Sequence, residues 1–197
     1  MSGKYVKLGG IALVLVLALT VVIFLNSDRT SDNGYPPDGQ KTGDVKKAAN
    51  EINFPEQLGG MRLEQSVSGP QAIDMISQLH GTGISIRQGY ITSYAGAQGK
   101  IMIWVSESDT SEEAGQLFDI MDRKIIEANT SEGTAAGGPP FTDRRTMTQN
   151  GIDVVAVKGM GMENYYYRTG SLVYWIAVEG PEPEQILEEA VDKLSLK

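Results

Sequence analysis

Few side chains in this sequence have the types and spacing that chemistry needs. His80 is the single histidine, and no Cys is present. A histidine base needs a nucleophile and an orienting carboxylate, and no G-x-S-x-G or similar motif accompanies His80. At the end of an apolar-striped stretch it reads as a local helix cap. Met160-Gly161-Met162 spaces two thioethers as Cu(I) would require, but packing in a turn or core is the simpler reading. Tyr165-Tyr166-Tyr167, with Tyr174 and Trp175, forms an aromatic-rich stretch. Alternation along a strand sends Tyr165 and Tyr167 to one face and Tyr166 to the other. Such rings fill sheets, and they also recognise sugars and peptides. Asp143-Arg144-Arg145 is a compact basic spot, read as a solvated strand end. Gly159 to Gly161 precedes no helix and is not a phosphate loop. No catalytic residue, metal ligand or cofactor is therefore expected.

The elements that position these residues alternate between strands and helices. Met61 to Val67 alternates with period two, as a strand does. Gly69-Pro70 opens a helix with Ala72, Ile73, Ile76 and Leu79 on its apolar stripe, and His80-Gly81 closes it. Ile84 to Tyr94 and Lys100 to Glu107 read as a strand pair joined by the turn at Gly96 to Gly99. A helix follows from Asp109 or Ser111 to about Ala128, with Glu112-Glu113 at its positive end. Its inward face is Leu117, Ile120, Met121, Lys124 and Ile125. After a loop at 129–140 come strands near Thr142–Thr148, Ile152–Lys158, Met162–Arg168 and Leu172–Glu179. Pro181 and Pro183 lead into a last helix, Glu184 to Leu194. Asn129-Thr130-Ser131 matches the glycosylation triplet, which occurs often by chance.

Two stretches echo each other when Trp104 is aligned with Trp175. Nine residues separate Trp104 from Glu113 and Trp175 from Glu184, and each Glu begins a helix. That spacing suggests two related strand-hairpin-helix units. Ile101, Ile103 and Val105 share one strand face, as do Leu172, Tyr174, Ile176 and Val178; the helices should cover these. Trp104 and Trp175 then point the other way with Met102, Val173 and Ala177. The second apolar face needs a cover: another element, a partner, or a second copy of the domain. Trp104, Trp175, Tyr165 and Tyr167 are the candidate binding residues.

Residues 8–25 carry no charge over 18 positions, roughly 27 Å of helix against a bilayer core of about 30 Å. Lys4 and Lys7 precede them, so the expected arrangement has residues 1–7 cytoplasmic, 8–25 as a transmembrane anchor, 26–50 as a flexible tether and 51–197 as an extracytoplasmic domain. A cleaved signal peptide fits less well, because the apolar run is long and no A-x-A-like site follows. A pilin-type leader fits loosely, but Leu15 stands where Glu is usual. Asp28, Asp32, Asn33 and Gly34 lack the spacing of a calcium loop. The 197-residue chain has a net charge of -8, which argues against nucleic acid as a partner. The fold class expected is α+β: a transmembrane helix, then one domain of antiparallel hairpins and about three helices.

The ending YYYRTGSLVYWIAVEGPEPEQILEEAVDKL resembles the end of a broad group of bacterial extracytoplasmic domains of unknown function. In these a tyrosine-rich strand, a turn and a W-x-V strand precede a short helix. Some members hang from anti-sigma or sporulation regulators, a role not expected with seven residues on the cytoplasmic side. The segment FPEQLGGMRL…AIDMISQLHG resembles uncharacterised single-pass prokaryotic membrane proteins. Neither resemblance carries functional residues over. The function expected is a binding or accessory subunit at the cell membrane, holding a protein partner or self-associating, without catalysis. An unrecognised enzyme or small-ligand carrier at the envelope, and a homo-oligomeric envelope protein, are the alternatives.

Overall fold

The computed structural model describes residues 52–80, 85–130 and 141–194. They form one eight-stranded antiparallel sheet with three helices. The strands are β1 (Gln57–Leu58), β2 (Met61–Ser68), β3 (Gln88–Gly96), β4 (Gly99–Glu107), β5 (Thr142–Gln149), β6 (Ile152–Gly159), β7 (Met162–Thr169) and β8 (Leu172–Glu179). The helices are α1 (Pro70–His80), between β2 and β3; α2 (Ser111–Thr130), between β4 and β5; and α3 (Pro183–Leu194), after β8. The order across the sheet is β1-β2-β3-β4-β8-β7-β6-β5. Two four-stranded meanders thus meet at their last strands.

Both sheet faces are apolar, as the period-two runs require. Ile101, Ile103, Val105, Tyr174 and Ile176 are buried on one face, together with Ile186, Leu187, Ala190 and Val191 of α3. Met102, Trp104, Tyr166, Val173 and Ala177 are buried on the other, under Ala72 and Ile76 of α1 and Leu117, Met121 and Ile125 of α2. Thr110 and Glu113 begin α2 with a reciprocal cap: the Glu113 amide donates to the Thr110 hydroxyl, and the Thr110 amide donates to the Glu113 carboxylate, each at 3.1 Å.

Helix α3 touches both edges of the sheet. On one side Glu189 accepts the Gly59 amide beside β1 at 2.9 Å, and Lys193 reaches the Gln57 carbonyl. On the other, Arg145 of β5 donates to Glu184, and Asn150 in the β5–β6 turn donates to Asp192 at 2.6 Å. A flat sheet would hold β1 and β5 about 34 Å apart, at about 4.8 Å per strand. A helix is only about 10–12 Å across with its side chains. The sheet therefore curls around α3, with α1 and α2 on its outer, convex side.

These observations correct the expected fold class. The described chain is dominated by one continuous antiparallel sheet, in place of a membrane-spanning helix followed by a hairpin-and-helix α+β domain. No helix among the described residues is long and apolar enough to cross a membrane. The single-pass, signal-anchor reading of residues 8–25 has no support there, and that segment lies outside the described residues, as does the tether at 26–50. The two helix-terminated units are not equivalent either. The helices α2 and α3 lie on opposite faces, whereas a repeat about the central strand pair would put them on one.

Candidate functional site

The junction of the two meanders sets the site. Strands β4 and β8 pair so that Trp104 stands directly opposite Trp175. Both side chains face the α1 and α2 side. Trp104 is 5% exposed, and its indole N–H has no acceptor among the described residues. Trp175 remains partly open.

Trp175 is held by three neighbours. Tyr166, its partner across β7 and β8, stacks on it with centroids 5.2 Å apart and planes 5° apart. Phe141, just before β5, meets it edge-on at 5.5 Å. Its indole N–H donates to Asn164 at 3.2 Å. The Asn164 amide in turn donates to the carbonyls of Gly159 and Met162, clamping both ends of the β6–β7 turn. Gly159 has to be glycine: a Cβ there would lie 2.4 Å from the Phe141 ring.

A charged lock fixes the far side of this cluster. The Tyr166 hydroxyl donates to Asp122 of α2 at 2.6 Å, and Arg144 of β5 binds the same carboxylate through two nitrogens at 3.0 and 2.9 Å. Phe118, one turn before Asp122, packs against Tyr166 at 5.6 Å. Burial, followed by the bond to Asp122, pushes the Tyr166 phenol well above its ordinary range. The hydroxyl stays protonated and acts as a donor to Asp122.

Tyr165 and Tyr167 face the other way, into the α3 side, and both are 0% exposed. Tyr167 stacks on Tyr174 at 4.7 Å, and the Tyr174 hydroxyl donates to the Leu194 carbonyl. The hydroxyls of Tyr94, Tyr165 and Tyr167 are buried without a partner among the described residues. Burial raises Tyr94 to about 12 and pushes Tyr165, Tyr167 and Tyr174 further up. None of these phenols is a nucleophile near neutral pH.

The four candidate residues thus divide into two pairs on opposite faces. Of the four, Trp175 alone is not buried. Arg144 and Arg145 form no free basic spot: Arg144 is bound to Asp122, and Arg145 pairs with Glu163 and Glu184. His80 is the last residue of α1. Asp122, Phe118, Phe141 and Asn164 were missed by the sequence reading. The only sequence signal for them is the one-turn spacing of Phe118 and Asp122 on a helix. Among the described residues no group of three His, Cys, Asp or Glu could hold a metal ion.

No family model matches the chain, and no curated protein matches it. Among solved structures, the crystal structure of a GTP binding regulator from Thermotoga maritima is similar over 70% of this chain and 80% of its own, at 9% identity and a TM-score of 0.42. A likeness this slight carries neither fold nor function across.

Proposed function

We propose that this chain is a binding or accessory subunit without catalytic activity, and that Trp175 anchors a protein partner. The observation that supports it is a partly open tryptophan fixed on a rigid support. Tyr166, Phe141 and Asn164 hold its ring, and Asp122 and Arg144 hold Tyr166. Interface hot spots favour Trp, Tyr and Arg, and a ring already immobilised loses little entropy on binding. The groups with shifted titration are buried tyrosines and the ion-paired Arg144, Arg145, Lys158 and Glu189, an arrangement suited to packing and not to proton transfer.

Co-purification of the full chain with its partner tests this. A Trp175→Ala chain that keeps its circular dichroism spectrum should hold the partner about 30-fold or more weakly, the effect of losing a hot spot worth about 2 kcal/mol. Trp104→Phe should leave retention unchanged. Equal retention by wild type and Trp175→Ala would refute the assignment.

A further inference from the structure

We propose that the β6–β7 turn, through the thioethers of Met160 and Met162, is a binding site for a soft monovalent cation, Cu(I) in a cell. The first observation is backbone geometry. The β5–β6 hairpin turns through Asn150-Gly151 at φ 51° and 78°, the residues such a left-handed turn favours. The β6–β7 hairpin turns through Met160-Gly161 at φ 55° and 76°, nearly the same conformation, with a methionine where Asn or Gly is at ease. The main chain gives no reason for Met at this position. An observed strain of this kind points to a role for the side chain.

The second observation is placement. Met160 and Met162 both pack on the Trp175 side of the sheet, and both stay partly exposed, so an ion from solvent can reach them. The third is preorganisation. Asn164 binds the carbonyls on either side of the turn, at Gly159 and Met162, and is itself bound by Trp175. The main chain that carries the two methionines is therefore braced before any ligand arrives. The Phe141 ring lies against Gly159, directly beside the turn.

The donor set selects the ion. Thioether sulfur is neutral and soft, which suits Cu(I), whereas calcium and magnesium take oxygen ligands. No proton need leave a thioether, so binding should not change across neutral pH.

Silver(I), a redox-inert stand-in, is the probe. The full chain is titrated with silver(I) while tryptophan emission is followed and stoichiometry is read by native mass spectrometry. The wild type should take up one ion and quench its emission. Met160→Leu and Met162→Leu, which conserve volume, should each weaken binding at least about tenfold, the scale on which even outer-sphere changes act. Met75→Leu, in the same core cluster but on α1, and His80→Gln should bind as the wild type does. No binding by the wild type, or equal binding by the Met160→Leu/Met162→Leu double variant, would overturn the site. Either result leaves the Trp175 assignment intact, because that assignment is read from partner retention.

Discussion

Asp122 is where a single atom group ties three elements together, so its removal gives a demanding test. Its carboxylate accepts the Tyr166 hydroxyl at 2.6 Å and Arg144 at 3.0 and 2.9 Å. Tyr166 is fully buried, so Asp122→Ala leaves its hydroxyl with no acceptor in the core, a loss of about 1–3 kcal/mol. The Arg144 and Asp122 side chains are 30% and 20% exposed, so solvent screens their attraction, and the ion pair adds only about 0.5–1 kcal/mol. The expected total is about 1.5–4 kcal/mol, or a fall in Tm of about 3–16 °C for a chain of this size. Tyr166→Phe removes the hydroxyl while keeping the ring stacked on Trp175, and should cost about 1.5 kcal/mol. The double variant should cost clearly less than the sum, with a coupling of about 1 kcal/mol. Urea unfolding followed by circular dichroism and tryptophan emission gives all four corners of the cycle. If Asp122→Ala costs under about 0.5 kcal/mol, or the two changes add without coupling, the lock does not hold α2 to the sheet.

Two further outcomes follow from the core. Burial raises the pKa of Tyr94 to about 12 and those of Tyr165, Tyr166, Tyr167 and Tyr174 further; since the folded value lies above the ordinary value of about 10, stability is complete below about pH 10 and is lost as pH rises through the folded values. Tyrosinate absorbance should show a late step coinciding with loss of the circular dichroism signal, and a single step near pH 10 for all eight tyrosines with the fold intact would count against the buried cluster. Gly159→Ala forces the Phe141 ring off its seat, at about 1–3 kcal/mol, and should red-shift Trp175 emission. Pairing it with Phe141→Ala should remove most of the added penalty, and two independent penalties would show that the ring can move freely.

The strands were the most legible part of the fold. The alternating runs at 61–67, 100–107 and 172–179 coincide with β2, β4 and β8 to within a residue. The Trp104–Trp175 echo marks the junction of the meanders, where the two residues face each other. Which face each helix covers was not legible, and the reason is topological. A helix stripe says that one side is buried, but not against which side of a sheet. That depends on sheet order: β4 lies at the centre and β5 at the far edge, with β8, β7 and β6 between. Helix α2, 20 residues long, spans about 30 Å and can carry the chain across that distance over the tryptophan face. Helix α3 follows the last of the described strands and folds back into the trough. The expectation that the tryptophan face lacked helical cover failed for this reason. The lock at Asp122 was hidden similarly, since Asp122, Arg144 and Tyr166 come from three distant segments with no shared motif.

Trp175 stays partly open although its aromatic neighbours are buried, on a sheet that curls around one helix. Bending eight strands around one helix shortens the inner arc and lengthens the outer one. The inner side needs a single helix, and the α3 side is closed at Tyr165, Tyr167, Tyr174 and Ile176. The outer arc exceeds the roughly 34 Å of the flat sheet. Two helices, packing at about 8–10 Å each, cover only about 20 Å of it. Helix α1 lies against β2, β3 and β4, and α2 against β7 and β8. The strands β5 and β6 lie beyond the main contacts of both helices, and Phe141 closes part of that side by lying across Gly159. Trp175 sits on β8, among the strands that α2 lies against, and meets Trp104 across the central strand pair. A smaller side chain there would expose the ladder beneath it. A tryptophan fixed by stacking and by Asn164 closes the floor while keeping one part of its ring available, the condition a preformed anchor must meet.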